Sequence, residues 1–454
     1  MYERYILVEI SKRILALVAV SLIVYVGYAF AASDQQLMDV PAIEILTKIR
    51  NDEPVEYDHI TVIGDLMLED VIIKSPIRIN DSKFNGQVSF TFSTFRKSID
   101  ISSSNFTKEI DFSKSTFNQY ASFSYSAFGG NTKFVGSVFN ENAYFHDCIF
   151  NENVEFRESV FDNYAYFWRS KFNKDAFFWE SVFKGAAKFQ RSEFNGITYF
   201  GWIYYNGPKF YEDADFTEST FKGDTYFTAS IFDGDSFFTK SIFAGNAFFS
   251  DCTFEGNADF EDGQLNGKAI FENAHFIGPL NLKRLKYDEV YIRWISIDNL
   301  SFDDTAYLRL IENFKKLGFY SDADQCYVSY RNANRQNLPI YYQPIDFFLW
   351  ILYGYGTMPE LPVIWSLFVI LLCGGFFYFT ADIETPDKKT TLVEAMYLSA
   401  AAFTSGARTL GGFVSTPEDV KVKGRARYVL AVEKLLGLLL VGLFLTALAR
   451  TVIR

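Results

Sequence analysis

The sequence predicts two kinds of structure in one chain: a long β-solenoid with helical caps and, after it, an α-helical region that crosses a membrane twice. Three observations carry this. Phe recurs in alternating steps of six and five residues from Phe84 to Phe276. Two apolar stretches, Pro362 to Ala381 and Tyr428 to Ala449, reach the ~20 residues that a bilayer span requires. At 454 residues the chain exceeds the roughly 100–200 residues that one core usually organises.

Residues 1–32 place Lys12 and Arg13 before an apolar run from Ile14 to Phe30 with a small-residue exit at Ala29-Phe30-Ala31. That is the pattern of a secretory signal peptide, and the run also approaches the length of an uncleaved N-terminal membrane anchor. Residues 33–59 are expected to form an N-terminal cap with an amphipathic helix over Pro41 to Arg50, because an open coil exposes unpaired backbone and bare core.

Residues 60–285 carry the repeat. A 3.6-residue period would scatter positions five and six apart around a helix, and a period of two would change face between them. A chain that turns a corner every five or six residues sets one Phe inward each time. Asn-Gly, Asn-Glu, Lys-Gly and Asp-Gly pairs supply turn chemistry. Small residues two before a Phe, such as Ala176 and Ala247, make a second inward position. Ile101 fills one gap in the Phe series, and an insertion around Gly201 to Pro208 interrupts the phase until Phe210.

Ala214-Asp215-Phe216 and Ala258-Asp259-Phe260 resemble the consensus of the pentapeptide-repeat family, in its longer-period branch. The resemblance implies a right-handed quadrilateral β-helix of four units per coil. About 22 residues then climb one strand spacing of ~4.8 Å, giving roughly nine coils and ~40 Å. Residues 286–340 are expected to be a helical C-terminal cap. In it, helices over Asp304 to Leu317 and Ser321 to Asn334 are joined at Gly318, with Tyr307, Leu308, Leu310, Ile311, Phe314 and Leu317 on one apolar stripe.

Residues 341–359 hold a short aromatic helix, Ile345 to Tyr355, suited to a membrane interface, and a linker. Gly354-Tyr355-Gly356 precedes the first span and is read as a bend. Residues 360–454 hold two spans and, between them, a Thr391/Glu394 capping box before an apolar helix, Leu392 to Phe403, too short to cross ~30 Å of hydrocarbon. A small, glycine-rich run follows, with Thr404, Ser405, Gly406, Ala407, Arg408, Gly411 and Gly412 as pore-loop candidates. Non-helical backbone at membrane depth must line water or protein, which implies assembly around a cavity.

This order, with Ala395, Tyr397 and Ser399 in the short helix, resembles the two-transmembrane potassium-channel-like pore domain. The resemblance implies a homotetramer, permeating ions, and an inner-helix hinge at Gly437. The sequence departs from the potassium filter: Ala407 and Arg408 follow Gly406, with neither a Tyr-Gly pair nor Asp. Potassium selectivity is not supported. Glu433 and Lys434 either face the bundle interior or snorkel to the interface.

The expected function is a multi-pass cell-membrane, ion-channel-like protein in the lipid bilayer, with the solenoid as a sensor or as the docking surface of a protein partner. The alternative is a non-conducting envelope scaffold. A net charge of −12 excludes a nucleic-acid partner. No cofactor, metal site or catalytic set is expected. Cys148, Cys252, Cys326 and Cys373 lack metal or disulfide spacing and are read as unpaired small residues. Lys388, Lys389, Arg408, Lys421, Lys423, Arg425 and Arg427 between the spans put that loop inside, and with the N-terminal signal they put the solenoid outside the cytoplasm.

Overall fold

A computed structural model describes residues 37–201, 207–380, 383–384, 391–405, 421–422 and 424–452. The chain divides into two compact units at Ile292 and Arg293. The N-terminal signal or anchor segment lies outside the described residues.

The first unit is a β-solenoid whose coil is 22 residues long, so Phe106 sits beside Phe128 and Ile99 beside Ala121 in parallel register. Two-residue strands stack into sheets of 12, 21 and 11 strands. The 21-stranded sheet is two ladders joined at a corner by His275–Asn281, which pairs with Thr253 and Phe254 near one end and with Ala258 and Asp259 at the other. There are about 12 turns, more than the nine expected. Met38–Pro41 already pairs with Ile60–Ile63, and the coils continue to Val290–Tyr291. The first coils fill their interior with Ile60, Val62, Leu66, Ile73, Ile77 and Ile79, so a count of Phe misses them. Twelve strands at ~4.8 Å make a rod of about 50 Å.

The Phe series sorts into four columns, each repeating once per coil. Phe84, Phe106 and Phe128 begin one, with ring centroids 4.6 and 5.2 Å apart and nearly parallel planes. Columns two steps apart round the coil meet edge to face, as in Phe156 against Phe167 at 5.0 Å and 81°. Offset stacking along the axis and edge contact across it are the two geometries that the ring quadrupole favours. Ile101 occupies its column as a buried residue. The insertion lengthens one coil, pairing Phe194 with Phe221, yet the columns continue, with Phe200 stacked on Phe227 at 4.6 Å.

The small inward position is also real, and on two of the four faces it is polar. Ser137, Ser170 and Ser192 are buried, and their hydroxyls donate to the carbonyls of Phe112, Phe145 and Phe167 in the preceding coil at 2.6–2.7 Å. Cys148 replaces serine in one of these series and Cys252 in the other, and they point their thiols at the carbonyls of Phe123 and Phe227. Burial pushes the Cys148 thiol up to about 12, so it is inert at neutral pH. All four cysteines are free and buried.

The corners differ from the expectation. Glycines of the Asn-Gly and Lys-Gly pairs do not supply left-handed backbone. At Gly223 and Gly267 a Cβ would lie 2.3 and 2.4 Å from a carbonyl oxygen of the coil below, so these glycines permit close approach. The left-handed corners fall every 11 residues on other side chains, including Glu158, Arg169, Glu180, Arg191, Ala229 and Lys240. Glu158, Arg169, Arg191, Ala229 and Lys240 are each held by coil-to-coil hydrogen bonding, as in Arg169 N–H to the Gln190 carbonyl at 2.8 Å. Helix α1 (Ala42–Arg50) follows the first strand and buries Ala42, Ile45, Leu46 and Ile49.

The second unit is helical. Helix α2 (Asp304–Lys316) is capped by Asp303, whose carboxylate accepts from Ala306 N–H at 2.9 Å. It packs on α3 (Tyr320–Asn334) across a left-handed Gly318. Tyr307, Leu310, Ile311 and Phe314 are buried, whereas Leu308 is exposed, about 100° round the helix from Tyr307. Then come α4 (Gln343–Tyr353), α5 (Glu360–Thr380), α6 (Leu392–Ser405) and α7 (Ala426–Val452). Helices α5 and α7 are long and apolar enough to cross a membrane.

Candidate functional site

Helix α6 begins with the expected capping box: Thr391 N–H donates to Glu394 at 2.8 Å, and Glu394 N–H donates to the Thr391 hydroxyl at 3.3 Å. Its 14 residues extend roughly 21 Å, too short for a ~30 Å hydrocarbon layer. It packs on both long helices. Cys373 and Phe377 of α5, Ala395 and Leu398 of α6, and Ala426 of α7 form one buried cluster.

Two glycines make this closeness possible. A Cβ on Gly374 would meet Met396 Sδ at 2.5 Å, and one on Gly437 would lie 2.2 Å from the Phe403 carbonyl oxygen. Gly437 thus has a packing role inside a continuous α7, beside the C-terminal end of α6. Small residues at helix contacts serve this purpose in membranes, where van der Waals packing drives association.

Glu433 faces inward and is fully buried. One oxygen is bonded to the Ser399 hydroxyl of α6, which also lies 2.9 Å from the Ile370 carbonyl of α5. Oε2 has no partner. The carboxyl therefore fastens three helices and does not snorkel. Thr404 and Ser405 end α6 with hydroxyls donating back to the carbonyls of Ala400 and Ala402 at 2.8 Å. Gly406, Ala407, Arg408, Gly411 and Gly412 lie outside the described residues.

A second cluster joins the end of α7 to the segment before α5. Gly354, Tyr355 and Gly356 all have positive φ, which makes the triplet a left-handed bend. The bend turns the Tyr355 hydroxyl toward Asp346, 2.6 Å away. Asp346 is 3% exposed and also binds Arg331 and Arg335 of the α3 end. Burial pushes its carboxyl up, but the bonds from Tyr355, Arg335 and Arg331 outweigh this and hold it below the ordinary aspartate range. Arg450, in the last turn of α7, donates to the Tyr355 carbonyl at 3.0 Å and lies 4.4 Å over the Tyr327 ring.

Sequence reasoning did not single out Asp346, Arg331, Arg335 or Arg450 as one site. The signal was a lone acid inside the aromatic run from Ile345 to Tyr355, which needs a partner wherever it is buried. Among the described residues no cluster of His, Cys, Asp and Glu could hold a metal.

Residues 79–127, 134–182, 205–251 and 238–285 match the family described as Pentapeptide repeats (9 copies). No curated protein and no solved structure matches the chain.

Proposed function

For a chain whose solenoid is built of pentapeptide repeats, we propose a multi-pass membrane protein of ion-channel-like design, assembled as a homotetramer, with the solenoid as its sensor or interaction domain. The observation that carries it is the capped helix α6, too short to span, wedged between two helices that are long enough. On this reading the chain that follows α6 would lie at membrane depth, where polar backbone is tolerated only against protein or water. Four copies around an axis supply such a cavity.

Thr404, Ser405 and Gly406 would line its entry, and Arg408 would repel cations at its mouth. The reading assigns no catalytic activity and no cofactor. The basic loop between the spans stays in the cytoplasm, and the solenoid lies outside. Labelling intact cells with an impermeant maleimide at a cysteine added beside Gly223 tests this arrangement. Reaction supports it, and protection until the membrane is opened contradicts it.

The departure from a potassium filter at Ala407-Arg408 favours a second reading, a tetrameric anchor that does not conduct. Single-channel recording from purified protein in a planar bilayer separates the two. Unitary currents whose reversal potential moves toward cation permeability in Arg408→Glu support conduction. A tetramer silent under every ion gradient leaves the scaffold.

A further inference from the structure

One face of the solenoid carries an outward aromatic shelf. Its strands are Ala121–Ser122, Ala143–Tyr144, Ala165–Tyr166, Ala187–Lys188 and Ala214–Asp215, in register coil upon coil. Tyr144 stacks on Tyr166 at 5.1 Å and 3°, and His146 on Trp168 at 4.6 Å and 9°. At the next coil the stack stops, because the positions that continue it are Lys188 and Gln190. The step from rings to smaller side chains opens a recess of about 420 Å³ bounded by Tyr166, Trp168, Lys188 and Gln190.

The polar groups around the recess are unequal. Arg169 lies 4.1 Å over the Trp168 ring and is bound twice by Asp147 at 2.8 Å. Arg191 is held by Glu218 at 2.8 Å. Gln190 donates to Asp215 at 2.5 Å, which leaves its carbonyl oxygen able to accept. Lys188 is in no ion pair among the described residues. The recess therefore offers aromatic wall, hydrogen-bonding groups and one uncommitted positive charge.

Several ligand classes do not fit. The backbone of this face is spent on the next coil, as in Phe145 N–H to the Tyr166 carbonyl and Phe167 N–H to the Lys188 carbonyl, both 2.7 Å, so no edge is free to add a peptide strand. A nucleic acid needs clustered cations, and here two of three are already neutralised on a chain of net charge −12. A quaternary ammonium, the usual guest of aromatic cages, is repelled by Lys188. What remains is a ring with C–H groups for an aromatic face, hydroxyls for amide and phenol, and a negative charge for the lysine.

We propose that this recess binds a carboxylate-bearing pyranose of an acidic oligosaccharide, packed against Tyr166 and Trp168 with its carboxylate on Lys188. The shelf toward His146 and Tyr144 would carry the neighbouring sugars. The proposal rests on the sensor reading of the solenoid and is independent of conduction, since binding is measured in solution and current in bilayers.

Calorimetric titration of the full chain in detergent with an oligosaccharide of four uronic acid residues, and with the neutral hexose oligosaccharide of the same length and linkage, tests it. The acidic sugar is expected to bind at least tenfold more tightly. Trp168→Ala should weaken both at least tenfold, and Lys188→Gln should reduce the acidic sugar to the level of the neutral one. Both side chains face outward, so protease resistance should not change. No binding of either sugar, or a Kd indifferent to Trp168→Ala, overturns the site. Equal binding of the two sugars by the unaltered protein overturns the acidic assignment.

Discussion

The two regions of this molecule bury their apolar surface in opposite ways. The solenoid repeats one contact: each Phe touches the Phe one coil below and one above, so stability is nearly a sum of identical neighbour terms. The helical unit has few contacts, each particular: a carboxyl on Ser399, a glycine under the Phe403 carbonyl, an aspartate between two arginines. The first arrangement tolerates a local fault, because coils on either side keep their partners. In the second, one altered residue removes the whole joint.

The largest expected effect tests the limit of that tolerance. Phe167→Asp sets a charge between Phe145 and Phe189, 5.2 and 4.8 Å away. It should cost several kcal/mol and open nearby coils to protease. Asn163→Ser, at a turn, should leave the cleavage pattern unchanged. If both variants resist digestion equally, the Phe columns are not the solenoid's core.

In the helical unit, Asp346→Asn should destabilise by about 2–3 kcal/mol, since it removes a charge that both arginines and Tyr355 bind. The folded carboxyl titrates below its ordinary value of 3.8, so its contribution is complete above that pH and is lost as pH falls through the lower, folded value. Thermal unfolding of the wild type should therefore drop below pH 4 by more than that of Asp346→Asn. Parallel curves would remove the cluster from the stability of this unit.

Gly437→Ala should cost roughly 1–3 kcal/mol, because its methyl meets the Phe403 carbonyl. Gly442→Ala, with nothing within 4 Å, should be neutral or slightly stabilising through helix propensity. Comparable melting temperatures for the two variants would mean that α6 and α7 are not in close contact. The smallest effect returns to the solenoid. Ala229→Gly relieves a left-handed φ of 59° and should stabilise by about 0.5 kcal/mol. A loss of stability there would show that the corner carries no strain.

The sequence alone determined the solenoid, its phase and its inward residues, because a coil of fixed length forces the same residue type to recur at the same place. Phe167, Ala176 and Ile101 were assignable for that reason. It also determined the type and approximate span of α5, α6 and α7, through length, apolarity and the Thr391/Glu394 box, with ends that differ from the structure by up to three residues. Only the tertiary structure decided which residues hold the left-handed corners, because Glu158 or Arg169 is kept there by bonds to the next coil and not by its own preference. Tertiary structure likewise decided that Glu433 faces Ser399 and that Arg450 reaches Tyr355, 95 residues away. Such pairs leave no period in the chain: they arise where elements distant in sequence meet once, and a single meeting repeats nothing that a pattern could reveal.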